Sequence, residues 1–90
     1  MTLHSHELTL FITGATPRSL RAVANVRNFC ERELADDYDL EIVDLYEHPE
    51  RAQPADVVVS PTLIRYRPKP VKMLIGDMSD QQLLSMTVKI

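Results

Sequence analysis

The first half of the chain reads as one strand–helix–strand unit, and this unit restricts the fold more than any other feature. Leu8-Thr9-Leu10-Phe11-Ile12 alternates at period two around Leu8, Leu10 and Ile12, with the β-branched and aromatic content that favours a strand. Gly14 and Ala15 then turn the chain. Thr16 can cap the following helix through its hydroxyl, and Pro17 suits the first helical position, where its missing N–H is no loss. Leu20, Val23, Val26, Cys30 and Leu34 recur at steps of three or four and define one apolar stripe, with Arg18, Arg21, Arg27, Glu31 and Arg32 mostly off it. The spacing turns Cys30 inward. Beyond Asp36-Asp37, residues 40–46 predict a second strand, and two strands bridged by a helix imply a right-handed parallel crossover.

Residues 47–90 hold five of the six prolines and only short apolar runs, so local preference decides less there. Residues 48–53 predict a short helical turn, with Pro49 near its start and Pro54 halting it. Val57-Val58-Val59 can either lengthen a strand or pack beneath a helix, because periodicity does not assign a short continuous apolar run. Residues 62–66 and 71–75 predict two short strands in an antiparallel hairpin. The connection Arg67-Pro68-Lys69-Pro70 bars continuous pairing through it. Ser79 and Gln82 have capping-box spacing ahead of Leu83, Leu84 and Met86, which predicts a final short helix capped by Ser79.

Ninety residues, 44% of them hydrophobic, make one small domain, residues 1–90, with a modest core. Thirteen acidic residues against ten basic ones leave no global field to hold nucleic acid, though local basic patches remain open. There is no apolar run near the roughly 20 residues that span a bilayer and no leader-like N-terminus, so a cytoplasmic protein is expected. A single cysteine cannot form an internal disulfide. His4, His6 and His48 read as solvated rather than metal-ligating, and no Cys/His cluster has zinc spacing. No catalytic residue, cofactor or metal is assigned. A thiol oxidoreductase would have to rest on Cys30, whose helical position argues instead for a small buried apolar residue.

The element order strand-helix-strand-helix-strand-strand-helix is the thioredoxin-like α/β arrangement, βαβαββα. In such folds a proline opens a central strand, as Ser60-Pro61-Thr62 does here, beside a two-cysteine motif at the start of the first helix. This chain has Thr16-Pro17-Arg18-Ser19 instead. In order along the chain, Gly14-Ala15-Thr16-Pro17-Arg18-Ser19-Leu20-Arg21-Ala22, Ile42-Val43-Asp44 with Pro49 downstream, Ser60-Pro61-Thr62-Leu63, Pro68, Pro70-Val71 and Ile75-Gly76-Asp77-Met78-Ser79 resemble the KaiB family of circadian-clock proteins. The resemblance spans residues 8–79.

It implies a non-enzymatic protein that docks on the N-terminal ATPase ring of KaiC; in cyanobacterial clocks that complex captures KaiA and displaces the similar domain of the kinase SasA. It also implies fold switching between a tetrameric ground state, with the second half of the chain repacked, and a thioredoxin-like monomer that binds KaiC. On this basis Thr16, Pro17, Pro61, Pro68, Pro70, Gly76, Asp77 and Ser79 are expected as structural or switch positions, with a cis bond before Pro61. Glu50, Arg51 and Asp56 flank the region that the family uses to contact KaiC. Arg21, Arg65, Arg67, Lys69 and Lys72 read as a basic patch for an acidic partner surface, so the expected partner-binding set is Arg21, Glu50, Arg51, Asp56, Arg65 and Lys72.

Several departures qualify the resemblance. Many KaiB chains continue into a longer last helix and an acidic tail, whereas this sequence stops at Ile90 after about three helical turns. Thr87 and Lys89 stand where cyanobacterial relatives tend to carry glycine and aspartate; both changes favour a helix and hence the thioredoxin-like state. Asp39 and Glu41 make an acidic strand edge that argues against KaiA capture. Timing of stress adaptation is as open an output as a daily clock. A SasA-type sensor domain binding the same ring is the alternative, opposed by the lack of a kinase region within the 90 residues.

Overall fold

Thr16 opens the first helix as its sequence suggests: its Oγ1 accepts the Ser19 N–H at 3.1 Å, and Pro17 occupies the first turn. In the computed structural model, which describes residues 4–90, the elements are β1 (His6–Ile12), α1 (Pro17–Glu33), β2 (Tyr38–Asp44), a 3-10 turn (Pro49–Arg51), β3 (Thr62–Arg67), β4 (Lys72–Ile75) and α2 (Gln81–Val88). Residues 1–3, part of the N-terminal segment read above as lacking a leader, lie outside the described residues. The strands form one sheet in the order β2-β1-β3-β4. β1 and β2 run parallel with Leu10 opposite Ile42, as the crossover implied, while β1–β3 and β3–β4 are antiparallel.

The main core lies between the sheet and both helices. Leu8, Leu10, Ile12 and Leu63 from the strands meet Ala22, Val26, Phe29, Cys30 and Leu34 from α1 and its end, and Met78, Leu84 and Val88 around α2. The inner face of α1 is rotated from the expected stripe. Leu20 is 55% exposed and Val23 only partly buried, whereas Ser19, Ala22 and Phe29 are buried. Ser19 is tolerated inside because its hydroxyl accepts from Thr16 Oγ1 at 3.0 Å. A smaller core of Phe11, Val43, Val57 and Ile64 lies on the opposite sheet face, under the segment that follows β2.

The second half departs further. The short helical turn expected over residues 48–53 forms as the 3-10 turn at Pro49–Arg51, too short to serve as the second helix of the expected βαβαββα order, and Val57 alone of the three valines is buried, in no strand and beneath no helix. The β3–β4 hairpin forms as expected. The Ser60-Pro61 bond is cis, as the resemblance implied, and so are Arg67-Pro68 and Lys69-Pro70. Ser79 is not the cap of α2. Asp80 takes that role, its carboxylate accepting the N–H groups of Gln82 and Leu83 at 3.1 Å each, while the Ser79 N–H goes to Asp77 Oδ1 at 3.0 Å. A charged acceptor that reaches two free N–H groups outcompetes a hydroxyl, so α2 has eight residues, about two turns rather than three.

Candidate functional site

The C-terminal ends of β1 and β2, the start of α1 and the segment before β3 meet at one end of the sheet. Gly14 turns there at φ +69°, a conformation costly for any residue with a Cβ. Its N–H donates to Asp44 Oδ1 at 3.0 Å, and the same oxygen accepts the Tyr46 N–H at 2.9 Å. Asp44 thereby staples the β1–α1 turn to the end of β2. The two donors, Gly14 first, hold its carboxyl below the usual carboxylate range. Tyr46 lies over the glycine, so that a Cβ on Gly14 would stand 2.9 Å from Tyr46 Cε2.

The Thr13 and Ser60 hydroxyls share a 2.9 Å hydrogen bond, and Thr62 Oγ1 donates to the Val59 carbonyl at 2.7 Å. These bonds fix the approach to Pro61 against the end of β1. On this framework Tyr46 is 74% exposed and Val58 89% exposed. Tyr46, Val58 and Asp44 are not among the expected site residues: Asp44 entered only through the Ile42-Val43-Asp44 block and Val58 only through the valine run.

Of the positions expected as structural or switch residues, Thr16 and Pro17 open α1, and the other six divide between the two ends of the β3–β4 hairpin. Pro61, Gly76, Asp77 and Ser79 gather at one end, where the Gly76 N–H donates to the Pro61 carbonyl at 3.0 Å. Asp77 also faces Arg21 at 3.5 Å, and its backbone carbonyl accepts from the Asn25 side chain at 3.0 Å. The Ser79 hydroxyl and N–H, followed by Arg21, lower the pKa of Asp77. Pro68 and Pro70 lie at the other end, in the β3–β4 connection.

The expected partner-binding residues do not form one patch. Glu50, Arg51 and Asp56 are exposed on the segment after β2. His48 Nδ1 lies 3.5 Å from the Glu50 carboxylate, and Arg51 is paired with Glu41 of the edge strand at 2.8 Å. Arg21 is exposed on α1, and Lys72 Nζ lies 3.3 Å from the Met86 carbonyl. Arg65 is a correction: it is 0% exposed and cannot line a surface patch. It points from β3 toward α2, and its guanidinium donates to the Val88 carbonyl at 3.2 Å and the Pro70 carbonyl at 2.8 Å. The end of α2 supplies carbonyls that have no partner within the helix, which is why a cation is accommodated there. Arg67 and Lys69 remain exposed in the hairpin connection.

Thiol chemistry has little support. Cys30 is buried in the main core, and burial, with a smaller contribution from Glu31, pushes its pKa up to about 11. Among the described residues no group of three His, Cys, Asp or Glu side chains is placed to hold a metal ion, and no helix is long and apolar enough to cross a membrane.

Comparison with known proteins bears on the fold and the family. Circadian clock protein KaiB3 of Synechocystis sp. is 44% identical over 75 residues, covering 83% of this chain and 74% of the relative. Circadian clock oscillator protein KaiB of Nostoc sp. is 35% identical over 78 residues, covering 87% and 72%. Among solved structures, the N-terminal domain of Synechococcus elongatus SasA superposes with a TM-score of 0.76 at 23% identity, over 96% of this chain and 82% of that one. Oxidised mitochondrial thioredoxin 3 of Saccharomyces cerevisiae gives 0.76 at 15% identity, over 96% and 78%. These two likenesses establish the fold as thioredoxin-like. The KaiB domain profile matches residues 9–90, and with relatives at this level of identity the chain belongs to the KaiB family.

Proposed function

We propose that residues 1–90 form a single KaiB-like domain acting as a non-enzymatic regulator of a clock or stress-timing system in the cytoplasm, and that it docks on a KaiC-like ATPase ring. The observation that carries this reading is family membership combined with the end of the sheet described above. Where a thioredoxin keeps its thiol pair, this chain has Thr16-Pro17-Arg18-Ser19, braced by Asp44, Gly14 and the Thr13–Ser60 hydroxyl pair. That end offers a shaped surface with exposed Tyr46 and Val58 rather than a nucleophile. Glu50, Arg51 and Asp56 beside it, with Arg21 and Lys72, are the polar contacts of the reading; Arg65 supports the fold from within. The acidic edge at Asp39 and Glu41 opposes KaiA as a partner.

Fold switching belongs to the same proposal. After Asp44 the chain is held by short elements, and α2 buries only Leu84 and Val88 of its own residues. A second packing of residues 45–90 within a few kcal/mol is physically accessible to such a chain. Light scattering on chromatographed mixtures with the cognate KaiC-like ATPase, in ATP and in ADP, tests the docking. Co-elution in at least one nucleotide state is expected, and failure in every nucleotide and phosphorylation state sinks the reading. An NMR spectrum with a single set of peaks and no exchange over hours removes the switch. The likeness to the SasA domain favours one alternative, a sensor domain for the same ring, which a native reading frame continuing into a kinase region would establish.

A further inference from the structure

The two outer strands of the sheet carry opposite charge. β2 exposes Asp39 and Glu41, whereas residues 65–76, which span β4 and its lead-in, hold four basic and no acidic side chains in a chain of net charge -3. Arg65 is buried, which leaves Arg67, Lys69 and Lys72. Arg21, Arg32, Arg51 and Lys89 each have a carboxylate partner, but among the described residues these three have none. Lys72 Nζ reaches only the Met86 carbonyl, at 3.3 Å. Beside the cations, Val71, Met73 and Ile75 are each close to half exposed.

The backbone of β4 is open on its outer side. The Gly76 N–H to Pro61 carbonyl bond sets the alternation along the β3–β4 ladder, and the Leu63–Leu74 and Arg65–Lys72 pairs share its parity. Those residues direct their N–H and C=O groups toward β3, so Met73 and Ile75 direct theirs outward. Side chains alternate as well: Leu74 packs against the main core, and Met73 and Ile75 stand on the opposite sheet face. On α2, Gln81 and Lys89 reach across to Arg32 and Glu33 of α1. At about 100° per residue Leu83 falls on the other flank of α2, above the open edge, and it is 47% exposed.

We propose that this edge binds an extended acidic segment of another protein, added to the sheet as a strand antiparallel to β4. The residues of the segment opposite Met73 and Ile75 take up about four backbone hydrogen bonds. Alternation then fixes which side chains the edge prefers. The residues opposite Met73 and Ile75 extend the apolar face, and the one between them, opposite Leu74, meets Leu83. The next residue, opposite Lys72, shares a face with that lysine and is acidic; a second acid two positions further on lies beside the connection that carries Arg67 and Lys69. The preferred segment is thus three apolar residues followed by acids at alternate positions. A lysine on an edge strand ordinarily discourages pairing, and three unpaired cations turn this edge away from a second copy of itself. For an acidic strand the same cations are contacts, so complementarity of charge selects the partner.

The peptide acetyl-Ser-Val-Leu-Val-Glu-Val-Glu-Ser-amide, titrated into the full chain with no ATPase present, tests the pairing, so its failure leaves the docking reading standing. Amide hydrogen exchange is the readout. In the free protein the outward N–H groups of Met73 and Ile75 should exchange fast and that of Leu74, bonded to β3, slowly. Saturating peptide should slow Met73 and Ile75 at least about tenfold. A surface this small predicts a dissociation constant on the order of 10–100 µM, raised at least about fivefold between about 0.05 and 0.5 M salt. Replacing both glutamates of the peptide by lysine, or combining Lys69→Glu with Lys72→Glu in the protein, should weaken binding at least about tenfold. Met73→Pro removes an N–H that lies outside the β3–β4 ladder, so it should keep the circular dichroism spectrum and lose the peptide. The proposal is overturned by no binding at about 1 mM peptide, by equal binding of the lysine peptide, by indifference to the paired charge reversal, by protection confined to β2, or by Met73 and Ile75 already protected by a second copy before peptide is added.

Discussion

Arg51 closes a two-pronged ion pair on Glu41, Nη2 to Oε1 at 2.8 Å and Nη1 to Oε2 at 3.1 Å. The pair ties the 3-10 turn back to the edge strand β2, and the guanidinium hydrogen bonds hold Glu41 below the usual carboxylate range. An expected partner contact and half of the acidic edge are therefore one neutral unit. Both side chains are about half exposed, so the pair contributes little to stability after solvent screening. Glu41→Gln is expected to move the melting temperature by no more than about 4 °C. On the docking reading, Arg51→Ala weakens binding to the KaiC-like ring about fivefold to tenfold, and Glu41→Gln, which frees the guanidinium, does not weaken it. A titration in which Arg51→Ala binds like the wild type removes Arg51 from the contact surface.

Arg65 separates a structural from an interfacial role. Its guanidinium is sealed beneath α2, with two carbonyl acceptors and no partner for Nε among the described residues. Arg65→Ala leaves a cavity and two carbonyls without their donor, and urea denaturation should show a loss of about 3 kcal/mol. Arg65→Met keeps much of the volume and removes a buried charge, so its loss should be less than half of that. Once folded, the methionine variant should bind a ring partner as the wild type does. Lost binding with retained stability would put Arg65 at the interface after all.

Acid should unfold this protein through carboxylates that are better solvated by backbone N–H groups than by water. Asp44, held by the Gly14 and Tyr46 N–H groups, and Asp77, held by Ser79 and then Arg21, both have lowered pKa values. A lowered folded pKa means that the unfolded chain takes up protons first. The stabilisation is complete above the unfolded value of about 3.9 and is lost as pH falls through the folded values. Unfolding followed by circular dichroism should therefore begin below about pH 4. Asp44→Asn should flatten the pH dependence in that window, and an unaltered profile would show that the staple contributes nothing.

How much of this was legible in the sequence depends on how local the cause was. β1, the Thr16-Pro17 start of α1 and β2 were readable because alternation and capping act within a few residues. The rotation of α1 was not, since Ser19 and Ala22 look neutral until the sheet fixes which side they face. Val57 and Arg65 failed for a related reason. A single buried valine among three and an arginine under a helix end are both decided by elements distant in sequence. At the site, Thr16 and Pro17 were visible from local backbone preferences, and Pro61 only through the resemblance. The Gly14–Asp44 bond joins residues 30 positions apart and was invisible.

Cys30 gives a direct measure of core closure. Its pKa, pushed up to about 11 from the ordinary 9.0, lowers the thiolate fraction about a hundredfold at neutral pH, before any steric shielding. A disulfide reagent should modify the native protein at least about a hundredfold more slowly than the urea-unfolded chain. Fast native labelling would mean that α1 leaves the sheet on the timescale of the reaction.

Gly14→Ala tests whether the turn beneath Tyr46 matters for shape or only for stability. The φ of +69° imposes strain on any L side chain, worth about 1–2 kcal/mol here. The added methyl would also sit 2.9 Å from Tyr46 Cε2. Because that ring is largely exposed, it can swing aside, so the steric contact is relieved at small cost while the backbone strain persists. The variant should fold with a midpoint lowered by an amount that matches the strain alone, and with altered Tyr46 ring chemical shifts. If Tyr46 belongs to the docking surface, ring binding should fall more for Gly14→Ala than for a control of equal stability loss in the core, such as Val26→Ala. Equal losses in the two variants would assign Tyr46 to the turn and not to the partner.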